Sequence, residues 1–410
     1  MTGTRAPALL TVYHRADDPW SYLLLQALPA LHRVYDVRFR FVTVPRAGQE
    51  YLPRPEATME NALRDAADLS RHLDLRFPDP AVTPEAAAAE EMQRLLLSRE
   101  DAESYLAAAL AAGDALFSGR RGPVERLLKQ IALPEPEAAE AALAANLAEQ
   151  IAAGHYLSGM IHFEGGWYWG VDRLFHLETV LINRGFRRGT GVPGVVRART
   201  VPHLRQPMLP PEADGGEPVL RFYCSFRSPY SWLAAERTFD LARRFRVRVE
   251  PRLIIPMKMA GFAIPKIKAD YFRTDCAREA LRHGVPFGRF TDPFGEGLMR
   301  AMAVVPLAAA EGRLEPYILA TMRGVWAGGR DLAVDGDLRA IFAEAGLDPE
   351  AALAAADAGA DLAWADRHRE ELAAWHQYAA PTFVIGDYMT WGQDRLWILE
   401  RVLEAAAGRR

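Results

Sequence analysis

Apolar and polar residues alternate along two short stretches, one near the N-terminus and one just past the middle of the chain. They read PALLTVYH (residues 7–14) and PVLRFYCS (218–225). Each is followed by a segment in which apolar residues recur with the period of an α-helix, at 20–35 and at 230–245. Alternation predicts a strand, and the 3.6-residue period predicts a helix. The two parts of the chain therefore begin in the same way.

The pattern that follows is also the same in both parts. A second apolar stretch, VRFRFVTVP (37–45) or VRVEPRLIIP (247–256), completes a strand–helix–strand unit, so we expect its two strands to be parallel. A long Ala/Leu/Glu-rich helical region, two short strands about a tight turn and a final amphipathic helix come next. The helical regions are predicted at 84–153 and 293–376, the turns at Gly165–Gly166 and Gly386–Asp387, and the apolar face of the last helix at Leu396, Leu399, Val402 and Leu403.

Sequence identity between the two parts indicates a tandem duplication. DPWSYL (18–23) matches SPYSWL (228–233), and WGVDRLFHLETVL (169–181) matches WGQDRLWILERVL (391–403) at nine of thirteen positions. The stretch 189–217 is rich in Pro, Gly and Arg and lacks a helical period, as expected of a linker. The predicted domains are 1–188 and 218–410, joined by this linker.

Net charge and composition indicate which partners and cell compartments the sequence favours. A net charge of −4 gives no reason to expect nucleic acid or an anionic membrane as a partner. No apolar run approaches the roughly 20 residues that span a bilayer, and the apolar stretch at the N-terminus is too short for a signal peptide. We therefore expect a cytoplasmic protein. The two cysteines, Cys224 and Cys276, form no CxxC pair, and the histidines show no metal-ligand spacing, so no metal site is predicted.

Ser228 stands where the second predicted helix begins. Pro229 follows at the first helical position, where its missing N–H costs nothing, so Ser228 is placed as an N-cap. A helix N-terminus also carries partial positive charge and lowers the pKa of a thiol placed there. Two interpretations are open: Ser228 only caps the helix, or its hydroxyl also stabilises the thiolate of a bound cofactor.

Two further motifs lie near the end of the chain. Pro381, in APTFVIGD, directly precedes a predicted strand. It is either an ordinary strand-starting proline or a cis-proline that leaves the backbone of Ala380 able to pair with an extended peptide. Gln393 and Asp394, in WGQDRL, lie at the start of the last helix. They either complement the helix dipole or recognise the head group of an amino acid.

The segments FYCSFRSPYSWLA, KADYFRTDCAR (268–278) and APTFVIGDYMTWGQDRL, in this order, resemble one known family. It is the 2-hydroxychromene-2-carboxylate isomerase and kappa-class glutathione transferase family, whose members have DsbA-like thioredoxin folds. The resemblance covers nearly all of 218–410. It implies an α/β protein of two tandem thioredoxin-like domains, each with an inserted helical subdomain.

The resemblance also implies glutathione as the cofactor and assigns roles to residues of the second half. In that family the serine before Pro-Tyr-Ser stabilises the glutathione sulfur, and the residue before the cis-proline pairs with the tripeptide backbone. The polar pair of the last motif holds the γ-glutamyl end. A lysine supplies positive charge for a carboxylate. In this sequence these residues are Ser228 as the catalytic residue and Ala380, Pro381, Gln393, Asp394 and Lys268 as cofactor-binding residues.

The first half departs from this pattern at the same positions. A carboxylate in place of Ser228 would repel a thiolate. The substitutions are Asp18 for the serine, Gly159 for the proline, Thr58 for the lysine and Val171 for the glutamine, with Asp172 and Arg173 retained. We expect the first half to keep the fold and to lack glutathione chemistry; the alternative is that Asp18 is a new general acid or base.

The predicted function is a glutathione-dependent isomerase or transferase that acts on a small electrophilic, aromatic substrate. The alternative is a non-catalytic binding or scaffold protein of the same fold. Disulfide oxidoreductase activity is disfavoured because Ser228 and Ser231 stand where a CxxC pair would be. Since kappa-type proteins resemble dimers, the two halves predict either a monomer with an internal pseudo-dimer or a homodimer.

Overall fold

The computed structural model divides the chain into two compact units. One comprises Met1–Pro202 with Pro265–Lys268, and the other comprises His203–Ile264 with Ala269–Arg410. The structure describes residues 6–189, 194–196, 218–256, 258–259, 261–359 and 361–407. Most of the predicted linker 189–217 therefore lies outside the described residues, and the domain bounds 1–188 and 218–410 stay predictions.

The first unit is built on a four-stranded sheet with the order β2-β1-β3-β4. Strands β1 and β2 are parallel, and β3 is antiparallel to both β1 and β4. The strands are β1 (Ala8–His14), β2 (Val37–Thr43), β3 (Met160–Phe163) and β4 (Gly166–Trp169). The helices are α1 (Pro19–Val34), α2 (Pro55–His72), α3 (Ala86–Leu97), α4 (Ala102–Ser118), α5 (Gly122–Leu128), α6 (Pro136–Ala152) and α7 (Leu174–Asn183).

The second unit repeats this topology with the sheet order β6-β5-β7-β8. Again the first two strands are parallel, and the other two pairings are antiparallel. The strands are β5 (Val219–Cys224), β6 (Arg248–Leu253), β7 (Thr382–Ile385) and β8 (Tyr388–Trp391). The helices are α8 (Pro229–Phe245), α9 (Lys266–His283), α10 (Glu296–Ala310), α11 (Leu314–Arg323), α12 (Asp335–Ala345), α13 (Pro349–Asp357), α14 (Ala363–Ala373) and α15 (Leu396–Ala407). The predicted parallel pairing of the first two strands is confirmed in both units.

Apolar residues of each sheet pack directly on the first helix of their unit. In the second unit Phe222 of β5 and Phe383 of β7 are fully buried, and their rings stack with centroids 5.3 Å apart. Phe239 of α8 meets the Phe222 ring edge-on. This packing holds α8 against strands β5 and β7 of the sheet.

Two elements differ from the sequence-based expectation. Helices α2 and α9 precede the predicted helical regions 84–153 and 293–376, so the helical part of each unit starts earlier than predicted. The turn between β3 and β4 is formed by Glu164 and Gly165 rather than by Gly165–Gly166. Both turn residues have positive φ, 47° and 77°, which matches the twist of a two-residue hairpin.

Helices long and apolar enough to cross a membrane are absent from the described part of the chain.

Gly113 of α4 provides a test of packing in the first unit. A Cβ added there would lie 2.3 Å from Cδ2 of Tyr22 on α1, whereas one added at Gly122 of α5 would meet nothing within 4 Å. We expect Gly113→Ala to destabilise the protein by about 1–3 kcal/mol through overpacking. Gly122→Ala is the matched control and should be neutral or slightly stabilising. Thermal unfolding midpoints measure both effects, and equal midpoints for the two variants would show that Tyr22 yields without cost.

Candidate functional site

Ser228 caps helix α8, as predicted. Its backbone is extended, with φ −100° and ψ 111°, and its Oγ accepts a hydrogen bond from the Ser231 N–H at 3.1 Å. The Ser228 hydroxyl also donates a long hydrogen bond, 3.4 Å, to the carbonyl oxygen of Ala380. The helix start and the Ala380–Pro381 motif, which are 152 residues apart in sequence, therefore meet at one side chain.

The peptide bond between Ala380 and Pro381 is cis. Pro381 is buried, and its carbonyl oxygen accepts a hydrogen bond from the Gly392 N–H at 2.9 Å, which ties the start of β7 to the end of β8. Ala380 is half-buried, and its N–H donates no hydrogen bond to any residue that the structure describes. The Ala380 N–H is therefore not used by the described residues, and its predicted pairing with an extended ligand stays a prediction.

Gln393 lies in a short 3₁₀ turn before α15, and its side chain is fully engaged inside the protein. It is 1% exposed. Its Oε1 accepts from Arg237 Nη1 at 2.8 Å, and its Nε2 donates to Glu279 Oε2 at 2.5 Å. Glu279 is completely buried on α9. The amide thus bridges a half-buried guanidinium on α8 and a buried carboxylate on α9, which is a structural role that the sequence motif does not indicate.

Asp394 is the more accessible member of this pair, with a side chain 16% exposed. Burial lowers the pKa of Arg237, and the carboxylates of Glu279 and Asp394 oppose that effect. Because Arg237 is under the influence of both carboxylates, Asp394 belongs to the same charge cluster as Gln393. The structure places both predicted residues together, but only Asp394 offers its side chain partly to solvent.

Lys268 lies in the third position of α9, within the segment Pro265–Lys268 that belongs to the first compact unit. It is 7% exposed, and its Nζ donates a hydrogen bond to the Tyr51 carbonyl oxygen at 2.8 Å. Desolvation lowers the pKa of Lys268 to about 8. The predicted role toward a ligand carboxylate stays a prediction; the structure adds that this ammonium is buried and already donates to a carbonyl.

Aromatic residues surround the start of α8, and several were not singled out from the sequence as neighbours of the site. A π-helical turn, Gly324–Gly328, follows α11 and carries Trp326, whose Nε1 donates to the Phe226 carbonyl oxygen at 3.0 Å. Trp326 also packs on Phe287 and Phe290. This contact joins residues 100 positions apart in the chain, so no local sequence pattern indicates it.

Other aromatic candidates have structural roles. Trp232 is buried, and its Nε1 donates to the Pro286 carbonyl oxygen at 2.7 Å. The Tyr230 hydroxyl donates to the buried carboxylate of Asp275 at 2.8 Å. Both side chains fasten α8 to α9 or to the loop after it, so core packing accounts for them.

The two cysteines are free thiols inside the protein. Cys224 and Cys276 are completely buried, and neither stands at a helix start. Burial raises the pKa of the Cys224 thiol, which disfavours the thiolate. Within the described residues, no group of three or more His, Cys, Asp or Glu side chains is arranged to hold a metal ion.

The first unit has a different arrangement at the corresponding place. Asp18 caps α1, and its Oδ1 accepts from the Trp20 N–H at 3.1 Å. Its Oδ2 accepts from the hydroxyl of Ser158 at 2.7 Å. Burial raises the pKa of Asp18, while the charge of Arg15 and the Ser158 hydrogen bond act in the opposite direction. A carboxylate of the protein itself therefore occupies the start of this helix.

Gly159, which replaces the proline, allows the chain to approach this helix closely. It has a positive φ of 69°, and a Cβ built on it would lie 3.3 Å from the Ser21 amide nitrogen and 3.4 Å from Asp18 Oδ2. Unlike a proline, it donates its N–H, to the Tyr13 carbonyl oxygen at 2.9 Å. Val171, at the glutamine position, packs against the apolar core. Asp18, Gly159 and Val171 thus all make contacts inside the first unit.

The geometry of the second unit is that of a known class of domain. The sequence model of the DSBA-like thioredoxin domain matches residues 219–404, which include the start of α8 and the cis-proline. Residues 219–404 thus match the DSBA-like thioredoxin domain, as the resemblance implied.

Individual relatives of this half are isomerases by name. The 2-hydroxychromene-2-carboxylate isomerase of Pseudomonas putida is 28% identical over 195 residues, which are 45% of this chain and 94% of the relative. That of Sphingobium xenophagum is 29% identical over 195 residues, 45% of this chain and 97% of the relative. A solved 2-hydroxychromene-2-carboxylate isomerase structure is 26% identical, covers 47% of this chain and 95% of its own, and has a TM-score of 0.38.

We predict that Lys268 titrates near pH 8, because burial disfavours its charged form. The chain has only four lysines, so ¹⁵N-lysine NMR can follow each ammonium separately. One resonance should change with a midpoint of about 8 and be missing from Lys268→Met. A Lys268 resonance that stays unchanged up to pH 9.5 would show that the ammonium is better solvated or better paired than its burial indicates.

Proposed function

We propose that the second unit binds glutathione and catalyses the isomerisation of a small, electrophilic aromatic carboxylate. The observation that carries this proposal is the meeting of Ser228, at the start of α8, with Ala380, beside the cis-proline. The relatives that match this half are 2-hydroxychromene-2-carboxylate isomerases by name, and their name supports both the reaction and the substrate class.

The residues around Ser228 fit a tripeptide thiol. The Ser228 hydroxyl can rotate to donate to an anion, and the N-terminus of α8 adds partial positive charge at the same place. The Ala380 N–H, which has no partner among the described residues, can pair with the backbone of an extended peptide. Asp394 is partly exposed and can accept from a ligand ammonium group. These groups match, in kind, the thiol, the backbone and the amino end of glutathione.

When bound, glutathione supplies a thiolate, a nucleophile that can add to an electrophilic double bond, allow rotation and leave again. The protein's part is to keep that sulfur ionised near neutral pH. A hydrogen bond to a charged group contributes about 1.5–3 kcal/mol, and each 1.4 kcal/mol shifts a pKa by about one unit. Ser228 alone therefore accounts for a pKa lowering of about one to two units, and the helix N-terminus lowers it further.

Gln393 contributes in a different way from the role that the resemblance implies. Both ends of its amide are hydrogen-bonded to protein groups, the half-buried Arg237 and the buried Glu279. We assign Gln393 as a positioning residue that holds Arg237 in the charge cluster to which Asp394 belongs. The contact to the γ-glutamyl end then falls to Asp394.

We also infer that the two units descend from one duplicated ancestor and that only the second retains the site. The equal sheet orders and the matched motifs support the duplication. The buried Asp18 carboxylate at the start of α1, together with Ser158 and Gly159, supports the loss of the first site. An anion already at this place would repel a thiolate.

Ser228→Ala tests the thiolate role. We expect kcat/KM to fall about 10–100-fold and the pH–rate profile to move up by about one to two units, because the bound thiol loses a hydrogen bond to its anion. The variant also loses a helix cap, which costs about 1 kcal/mol of stability. Turnover of 2-hydroxychromene-2-carboxylate with glutathione, followed by absorbance from pH 5 to 9, provides the measurement.

Asp348→Ala is the matched control for the cap. Asp348 caps α13 by accepting from the Ala351 N–H, far along the chain from the site. It should lose similar stability and keep the wild-type pH profile. An unchanged profile in Ser228→Ala would refute the thiolate role. Binding of glutathione by the wild type without turnover would favour the non-catalytic alternative.

We predict one glutathione site per chain, because the protein's own Asp18 carboxylate stands at the start of α1. Isothermal titration should give a stoichiometry close to one, with an affinity that Ser228→Ala weakens and Asp18→Ala leaves unchanged. Two sites per chain, or a loss of affinity in Asp18→Ala, would show that the first unit has kept a ligand site.

A further inference from the structure

The loop between α9 and α10, residues 284–295, is fixed against the start of α8. Trp232 of α8 donates to the Pro286 carbonyl oxygen. Arg227, the neighbour of Ser228, makes a two-pronged hydrogen bond to Asp292, with distances of 2.6 and 2.7 Å. The loop therefore holds a defined position beside the place proposed for the glutathione sulfur.

Phe294, at the end of this loop, is an exposed aromatic ring with two cations on it. The ring is 42% exposed. The Lys258 Nζ lies 4.2 Å from the ring centroid, and the Arg227 Cζ lies 5.0 Å from it. Contacts of this kind contribute about 0.5–1 kcal/mol at exposed sites, enough to favour one placement of a flexible lysine. An apolar ring and positive charge thus stand together at Arg227, the residue that precedes Ser228.

The two cations differ in how far their charge is compensated. The Arg227 guanidinium is neutralised by the carboxylate of Asp292. Lys258 makes no ion pair with any residue in the described part of the chain, and its side chain is exposed. The patch of Phe294, Arg227, Asp292 and Lys258 therefore carries a net charge of +1, and that charge is centred on the lysine.

We propose that Lys258 is a specificity-determining residue that selects aromatic substrates that also carry a carboxylate. Its ammonium pairs with the carboxylate, and Phe294 packs against the ring and keeps the ammonium in place. This inference rests on the proposed function, since it assigns the recognition of the substrate's charge for the same site. It adds a residue for which the family resemblance implied no role.

A binding measurement tests Lys258 independently of turnover and of glutathione. The probes are 2-hydroxycinnamate and its methyl ester, which share a ring and differ in charge, and their dissociation constants are measured by isothermal titration. The wild type should bind the acid about tenfold more tightly than the ester, as one charged contact predicts. Lys258→Met should abolish this preference by weakening binding of the acid only, and Lys258→Arg should retain it.

A control variant and steady-state kinetics distinguish a specific effect of Lys258 from a general loss of positive charge. Lys129→Met removes an exposed lysine of the first unit and should behave as the wild type does. With active enzyme, Lys258→Met should raise KM for the anionic substrate about tenfold and leave kcat nearly unchanged. Equal wild-type binding of acid and ester, or a preference that survives Lys258→Met, would overturn the proposal. A preference that depends on Lys258 in a protein that binds no glutathione would support this inference while the proposed function fails.

Discussion

Both units depend on one contact, in which the residue that caps the first helix meets the second residue before the third strand. In the second unit it joins the Ser228 hydroxyl to the Ala380 carbonyl, and in the first unit it joins the Asp18 carboxylate to the Ser158 hydroxyl. The first helix of each unit follows the first strand after a short turn, and the third strand pairs with that first strand. The start of the helix therefore lies at one end of the sheet. Under the proposed function, the residues of this contact decide whether an outside anion can approach.

Buried charge holds the second site in shape at some energetic cost. Glu279 and Gln393 are almost fully buried, and they are stabilised by their mutual contact and by Arg237, while Arg282 and His283 also lie within 3.7 Å of the Glu279 carboxylate. A buried charged group is costly unless it is paired and hydrogen-bonded, so removing one member exposes the others to the full penalty. Such a cluster leaves α8, α9 and the turn before α15 little freedom to move apart. The cluster thereby makes the site rigid and holds Asp394 in a fixed turn.

The sequence predicts the parts of this fold whose signals are local. Alternation and helical period locate β5, α8 and β7, and the Ser-Pro start correctly predicts the cap at Ser228. Helix α9 was not predicted because it buries Asp275, Cys276 and Glu279, so its inward face lacks an apolar stripe. Hydrogen-bond partners that lie far apart in the chain are not predicted either, because such pairs leave no local sequence pattern. Nothing near Gln393 in the chain indicates that its amide bridges side chains on α8 and α9.

The two helix starts show how one position can serve opposite purposes. The partial positive charge at a helix N-terminus is stabilised by an anion or a polar group. A protein can supply a carboxylate of its own, or it can supply a neutral hydroxyl and leave room for an anionic ligand. With Asp18 the first unit satisfies its helix internally, and burial then raises the pKa of that carboxyl because solvent no longer stabilises its charge. With Ser228 the second unit provides a hydroxyl that carries no charge of its own. A neutral cap keeps the field of the helix available, and that field is what a sulfur anion requires.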